Sequence, residues 1–297
     1  MADTTFDALL DLLRRLPPTE VEKNVNTLCD LCPEYADDLL GNVDQPLAIL
    51  RDEASGKDFL GCDYNRDGDS FRSPWSNEYL PASTSGPVPS SKLRQLEVSL
   101  NSAFDTYREM YFEGGISSVY LWDLDEDPSG AKEMAFAGAV VLKKVLAAQT
   151  PVEGEPIIPS GTWDSLHVLE CVERGRSAKY KLTSTVMLVL KTGTTSKPEI
   201  KGLDSELKGG GDVTLSGSMI RQSEMDYPLP SSAGHVQNIG RMVEDMEIKM
   251  RNLLSSVYFG KTKDVTNELR SQSGLEAKSK EELLRAELAG RLGARKL

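Results

Sequence analysis

The stretches Thr162–Val172 (TWDSLHVLECV) and Ala178–Leu190 (AKYKLTSTVMLVL) decide the fold of this chain. β-branched and aromatic residues are frequent in both, which is typical of strands. The same composition recurs in three further segments, Ile116–Leu124, Ala135–Leu146 and Asp212–Arg221. No convincing crossover helix separates consecutive segments. Because parallel neighbours need such a crossover, the five strands are predicted to form an antiparallel meander.

Two helical patterns flank these strands. Ser91–Glu113 has leucines and aromatic residues at helical spacing, and the longest helical pattern begins after Pro228 and Pro230. The apolar face of the longer pattern consists of Ile239, Met242, Val243, Met246, Met250, Leu253, Leu254 and Val257. Such a helix can cover one face of a sheet, so we predict an α+β fold with a five-stranded antiparallel sheet under a long helix.

The N-terminal part is predicted to be helical. Helices fit the leucine-rich stretch before Pro17, Thr19–Leu31, Glu34–Leu40 and a fourth stretch after Pro46 through Ile49 and Leu50. Short helices separated by prolines favour an antiparallel bundle. We divide the chain into a helical stalk (1–56), a loop-rich but ordered segment (57–90), a helix (91–113), the sheet (114–230), long and short C-terminal helices (231–275) and a tail (276–297).

The tail has the pattern of a mobile amphipathic helix. Ser279 and Glu282 fit a capping box, and Leu284, Leu288 and Leu292 follow at a spacing of four. Six basic and four acidic residues give 276–297 a formal charge of +2, although the whole chain carries −12. A short helix containing Gly290 and Gly293 is marginal in water. We therefore expect it to form fully only when the leucine stripe is buried, against the body or against a partner.

Neither a metal site nor a calcium loop is favoured. Cys29 and Cys32 are spaced as CxxC but lie in a helical pattern, and the remaining cysteines and histidines are scattered singly. Asp63–Asp69 (DYNRDGD) matches the first half of an EF-hand loop. The twelfth position, where a bidentate glutamate should lie, is Pro74. A network of turns between Asp and Asn side chains and backbone amides is the simpler interpretation.

Composition also excludes several functional classes. We find no motif for nucleophilic, metal-dependent or phosphate-loop chemistry, so we expect no catalytic residues, no metal and no cofactor. The net charge of −12 disfavours nucleic acid as a partner. No apolar run is long enough to span a bilayer, and the acidic start Met1–Asp7 is unlike a secretory signal, so the cytoplasm is the expected compartment.

Several blocks of sequence resemble the beta subunit of the heterodimeric F-actin capping protein family. They are Arg14–Pro18, Asp44–Leu47, Cys62–Asn77, Tyr111–Gly115, Tyr120–Asp125, Trp163–Ser165, Tyr180–Met187, Asn238–Met246 and Tyr258–Asp264. They follow in order along the chain as far as about Arg270. Together they are a specific signature, whereas single blocks are weak.

The resemblance implies a fold, partners and sites. An alpha subunit of similar fold would pair with this chain in an obligate heterodimer whose two sheets join side by side. The dimer would bind the barbed end of an actin filament, independently of calcium, and block subunit addition and loss, particularly in cortical actin. Positions that match the family's actin contacts are Leu284, Leu288, Leu292 and Arg251, and those that match contacts with regulators carrying capping-protein-interaction motifs are Arg15 and Tyr79.

Two other classes remain open. The chain could be a structural subunit of a larger assembly, such as dynactin, whose actin-like filament has the same kind of end. It could also be a calcium sensor, through the Asp63–Asp69 half-motif. Residues 126–161 are longer than in animal relatives and the tail beyond Arg270 diverges, so partners at these places could differ.

Overall fold

The computed structural model describes residues 4–16, 20–43, 46–124, 135–147, 159–192, 213–231, 233–261, 263–264, 283–285 and 287. The chain forms two compact units, Met1–Met246 and Glu247–Leu297. Among the described residues, no helix is long and apolar enough to cross a membrane.

The five predicted strands are β6 (Ile116–Asp123), β7 (Ala135–Ala147), β8 (Pro159–Arg174), β9 (Ser177–Thr192) and β10 (Val213–Pro228). They form one antiparallel sheet, in the order β10-β9-β8-β7-β6. Gly175, with φ of +62°, supplies the left-handed residue of the two-residue turn between β8 and β9. Each strand follows its sequence neighbour, so the predicted meander is confirmed. The last strand, however, runs seven residues beyond the predicted end at Arg221.

Two long helices lie on what we call the helix face of the sheet, the side that carries Val119, Leu121, Phe136 and Tyr180. Helix α4 (Ser91–Tyr111) packs along β6, and helix α5 (Gly234–Leu254) begins where His235 packs edge-on against the rings of Phe136 and Tyr180. The buried residues of α5 within the first unit include Ile239, Met242, Val243 and Met246. This arrangement confirms the predicted α+β class and the helical cover of the sheet.

The opposite side, which we call the stalk face, is covered by the N-terminal part of the chain. Helices α1 (Thr4–Arg15), α2 (Val21–Leu31) and α3 (Ala36–Asn42) match three predicted helices. They are followed by the hairpin of β1 (Ala48–Asp52) and β2 (Lys57–Gly61). Leu47 and Leu60 are buried here against Tyr120 and Val141 of the sheet. The Tyr120 hydroxyl donates to the carbonyl of Leu60 at 2.5 Å, which fixes the hairpin on the sheet.

The predicted fourth helix after Pro46 is wrong, because Ala48–Asp52 is strand β1. The local spacing of Ile49 and Leu50 is compatible with a helix, but pairing with β2 and the packing of Leu47 against the sheet stabilise the extended conformation. Such long-range contacts leave no local pattern. The helical part of the stalk therefore ends at Asn42 rather than extending to residue 56.

The loop-rich segment is ordered by short strands and side-chain hydrogen bonds. It contains β3 (Arg66–Asp67), β4 (Ser70–Arg72) and β5 (Tyr79–Leu80). Asn65 is buried; it accepts a hydrogen bond from the backbone N–H of Cys62 and donates to the carbonyl of Arg72, both at 2.9 Å. The Asp67 carboxylate accepts from the hydroxyls of Ser83 and Ser85. These bonds are the kind of turn network that the composition favoured over a calcium loop.

Candidate interaction surfaces

Strand β10 forms one edge of the sheet. It is bonded to β9 along its whole length, from Val213 opposite Thr192 to Pro228 opposite Ser177. Among the described residues no strand pairs with its outer side. Alternate residues of this sixteen-residue strand direct their N–H and C=O groups away from β9, and these outward groups are a template for another strand. Ile220 and Met225 are large exposed apolar residues on this strand.

A cavity of about 600 Å³ lies beside this edge on the stalk face. Its walls include Leu10, Leu13 and Leu16 around helix α1, and Met187, Val189 and Ile220 from β9 and β10. None of these six side chains is fully buried. Apolar surface left half-covered in this way is suited to a partner's side chains.

A buried ion pair holds the start of the hairpin beneath this cavity. Lys143 and Asp164 are directly opposite each other on β7 and β8, and the lysine Nζ donates to both carboxylate oxygens, at 2.9 and 2.7 Å. The backbone N–H of Leu47 donates to the same carboxylate at 3.0 Å. The pKa of Asp164 is raised, because the effect of burial outweighs the lowering effects of Lys143 and of the hydrogen bonds. Sequence reasoning missed this pair, because its members are far apart along the chain.

Arg251 lies in the last turn of α5, in the second unit. Its side chain is 49% exposed, with its guanidinium 3.9 Å from the carboxylate of Glu247 one turn earlier. Lys249 and Ile248 are also exposed on this part of the helix, whereas Met250 and Leu254 are buried. A π-helical segment, Ser255–Lys261, follows. The exposed side thus combines positive charge with apolar surface, which suits a partner of mixed chemistry.

The tail is described at four residues. Leu283, Leu284, Arg285 and Glu287 have helical conformation, and Leu284 is 61% exposed. The other two leucines of the predicted stripe, Leu288 and Leu292, lie outside the described residues.

The two predicted regulator contacts differ in exposure. Arg15 is exposed at the end of α1 and forms an ion pair with Asp11. Tyr79 is only 6% exposed; its hydroxyl donates to the carbonyl of Pro87 at 2.9 Å, and Gly86 packs against its ring. Arg15 can be contacted directly, whereas Tyr79 mainly shapes the loop that follows it.

Comparison with known proteins gives consistent matches. A model of the family described as F-actin capping protein, beta subunit, matches residues 6–266. F-actin-capping protein subunit beta from Aspergillus oryzae is 50% identical over 97% of this chain and 98% of its own length. The Drosophila melanogaster protein of the same name is 48% identical over 97% of this chain and 95% of its own.

Structural comparison agrees with the fold. A homodimeric actin capping protein alpha subunit from Plasmodium berghei aligns with a TM-score of 0.54 at 13% identity, covering 93% of this chain and 99% of that chain. At this identity the match supports the fold alone.

Proposed function

The chain belongs to the F-actin capping protein beta subunit family, and on that basis we propose that it pairs with an alpha subunit and blocks the barbed ends of actin filaments. The family is actin-binding and non-enzymatic, and it belongs to the cytoplasmic actin cytoskeleton. The observation that carries the proposal is the exposed leucine of a basic tail on an otherwise acidic chain.

The tail is suited to bind an apolar cleft. A leucine stripe at 284, 288 and 292 that becomes buried on a partner gains roughly 5–9 kcal/mol, at about 1.5–3 kcal/mol per side chain. Ordering the helix consumes part of this gain, because the free helix is marginal. Arg251 adds a second contact on another element. A bound dimer that covers the terminal actin subunits leaves no site for the next subunit, which stops addition and loss.

The sheet edge supports pairing with the alpha subunit. Along its sixteen residues, β10 directs backbone groups outward at every second position, and the half-covered leucines of α1 lie next to it in the cavity. An alpha subunit of similar fold could continue the sheet at this edge while its own apolar side chains fill the cavity. Both surfaces would then be buried by a single partner. We place the subunit interface at β10 for this reason.

Regulators and larger assemblies would use other surfaces. Arg15, and the loop shaped by Tyr79, are where we propose that capping-protein-interaction motifs bind. The dynactin alternative uses the same end-binding surface on an actin-like filament, so it needs no different site. We also propose that capping is independent of calcium and acts in cortical actin.

The experiment is a seeded actin-elongation assay with the heterodimer. The wild type should stop barbed-end growth, and Leu288→Asp should weaken capping while the heterodimer still forms. Ala286→Asp is a matched control, because helical spacing places residue 286 on the side opposite Leu288. Barbed-end growth that continues at saturating wild-type dimer would refute the proposal. Loss of the heterodimer in Leu288→Asp would show that the tail packs inside the body instead.

A further inference from the structure

We infer that Asn101 and Glu97 of helix α4 close the β6 edge of the sheet, so that subunits can join only through β10. An antiparallel sheet has two edges, and each can pair with another chain. A subunit with two open edges would add further subunits at both sides. The hydrogen bonds around β6 remove one of these edges.

Asn101 takes the place of a neighbouring strand at Val119. The backbone N–H of Val119 donates to Asn101 Oδ1, and Asn101 Nδ2 donates to the Val119 carbonyl, both at 2.9 Å. A side-chain amide offers the same donor and acceptor as a backbone peptide. Asn101 is 2% exposed, so water does not compete for these two bonds.

Glu97 and Arg72 together bind the outward backbone groups of Leu121. The backbone N–H of Leu121 donates to Glu97 Oε2 at 2.7 Å, and Arg72 Nη2 reaches the Leu121 carbonyl at 3.5 Å. The Arg72 guanidinium also donates to both oxygens of Glu97, at 2.8 Å each. Glu97 is fully buried, and its charge is balanced by two cations, Arg72 and Arg94, which both form ion pairs with it.

Helix and strand geometry explain why these two positions suffice. Residues four apart on a helix are about 6 Å apart along its axis, and residues two apart on a strand are separated by about 6.6 Å. Glu97 and Asn101 therefore match the spacing of Leu121 and Val119. Alternate residues of a strand direct their backbone groups to the same edge, so the outer donors and acceptors at the middle of β6 are occupied.

The test compares the mass of variants with that of the wild type, each co-expressed with an alpha subunit, by light scattering at several concentrations. Asn101→Leu keeps the volume but removes the donor and acceptor. We expect it to form a concentration-dependent species of roughly twice the wild-type mass. An unchanged mass would overturn the inference. A second substitution, Val119→Pro, removes the freed N–H and should restore the wild-type mass.

Destabilisation alone is excluded by a control on the same helix. Leu100 is also fully buried on α4, and Leu100→Ala leaves Asn101 in place. It should lower the melting temperature without changing the mass; association equal to that of Asn101→Leu would contradict the inference. If Asn101→Leu does not fold, hydrogen exchange of the wild type decides. The amides of Val119 and Leu121 should exchange as slowly as that of Tyr120, and fast exchange would overturn the inference.

This inference takes one premise from the proposed function, namely that the alpha and beta subunits pair through β10. Failure of that pairing would appear in the wild type, as a mass other than that of one alpha and one beta subunit. Failure of the inference would appear only in the difference between variant and wild type.

Discussion

Replacing Lys143 by methionine removes one half of the buried ion pair on the stalk face. The substitution preserves most of the side-chain volume. Of the three hydrogen bonds from Lys143 and Leu47 to the Asp164 carboxylate, it leaves only the one from the Leu47 N–H. Breaking a buried pair in this way costs about 3–5 kcal/mol. We therefore expect Lys143→Met to lose about that much free energy of unfolding.

The double variant with Asp164→Leu gives the magnitude a sharper test. Removing both charges leaves only the Leu47 N–H without its acceptor, which costs about 1–3 kcal/mol. The double variant should therefore be more stable than Lys143→Met alone. Urea unfolding measures these differences in the free energy of unfolding, provided that the slope of free energy against urea concentration is the same for all variants. Lys144→Met is the matched control, because that neighbouring lysine is only partly buried, and we expect it to cost little.

The pH dependence of Lys143→Met should have a definite sign. Burial already raises the pKa of Asp164, and the lysine opposes that rise. Without the lysine, the folded chain takes up a proton on Asp164 before the unfolded chain does. The deficit of the variant should therefore shrink as the pH falls. A loss below about 1 kcal/mol, or a double variant less stable than the single one, would refute the reasoning.

Three further predictions follow from individual contacts. Arg251→Ala should weaken barbed-end affinity about tenfold and reduce the salt dependence of that affinity. Lys249→Ala is the control and should have less effect. Equal losses of affinity in the two variants would contradict a specific role for Arg251. Burial tends to raise the pKa of Asp52, but hydroxyl and amide donors outweigh it and lower the pKa from 3.8 to about 2. The extra stability of wild type over Asp52→Asn should be complete above pH 3.8 and disappear as the pH falls through about 2, as urea unfolding would reveal. In Gly86→Ala the new Cβ would lie 2.3 Å from the Tyr79 ring, so either the loop or the ring must move. Fluorescence anisotropy should show weaker binding of a capping-protein-interaction peptide with capping retained, and wild-type affinity would count against the proposed site.

Much of the fold could be predicted because its strands are locally distinct. The end of β10 could not, since residues 222–228 (QSEMDYP) are largely polar and exposed. They are extended because each pairs with a residue of β9. Strand β1 was missed for a similar reason, because β2 and Leu47 hold it in place.

The candidate sites also fall into two groups, those that the sequence predicts and those that only contacts between distant residues create. The capping box and the leucine spacing predict the tail from neighbouring residues, whereas the role of Arg251 follows only from the family resemblance. By contrast, Lys143 and Asp164 meet only through the register of β7 and β8. Asn101 meets Val119 only because α4 packs along β6. Polar residues within apolar patterns were the one available signal, and they do not identify their partners.

Single-filament fluorescence microscopy distinguishes capping from other modes of actin binding, because it follows both ends of each filament. With the wild-type heterodimer in the chamber, barbed ends should stop growing and shrinking while pointed ends continue at their normal rate. Barbed ends that keep growing at saturating heterodimer, or an equal effect on both ends, would contradict barbed-end capping by this chain.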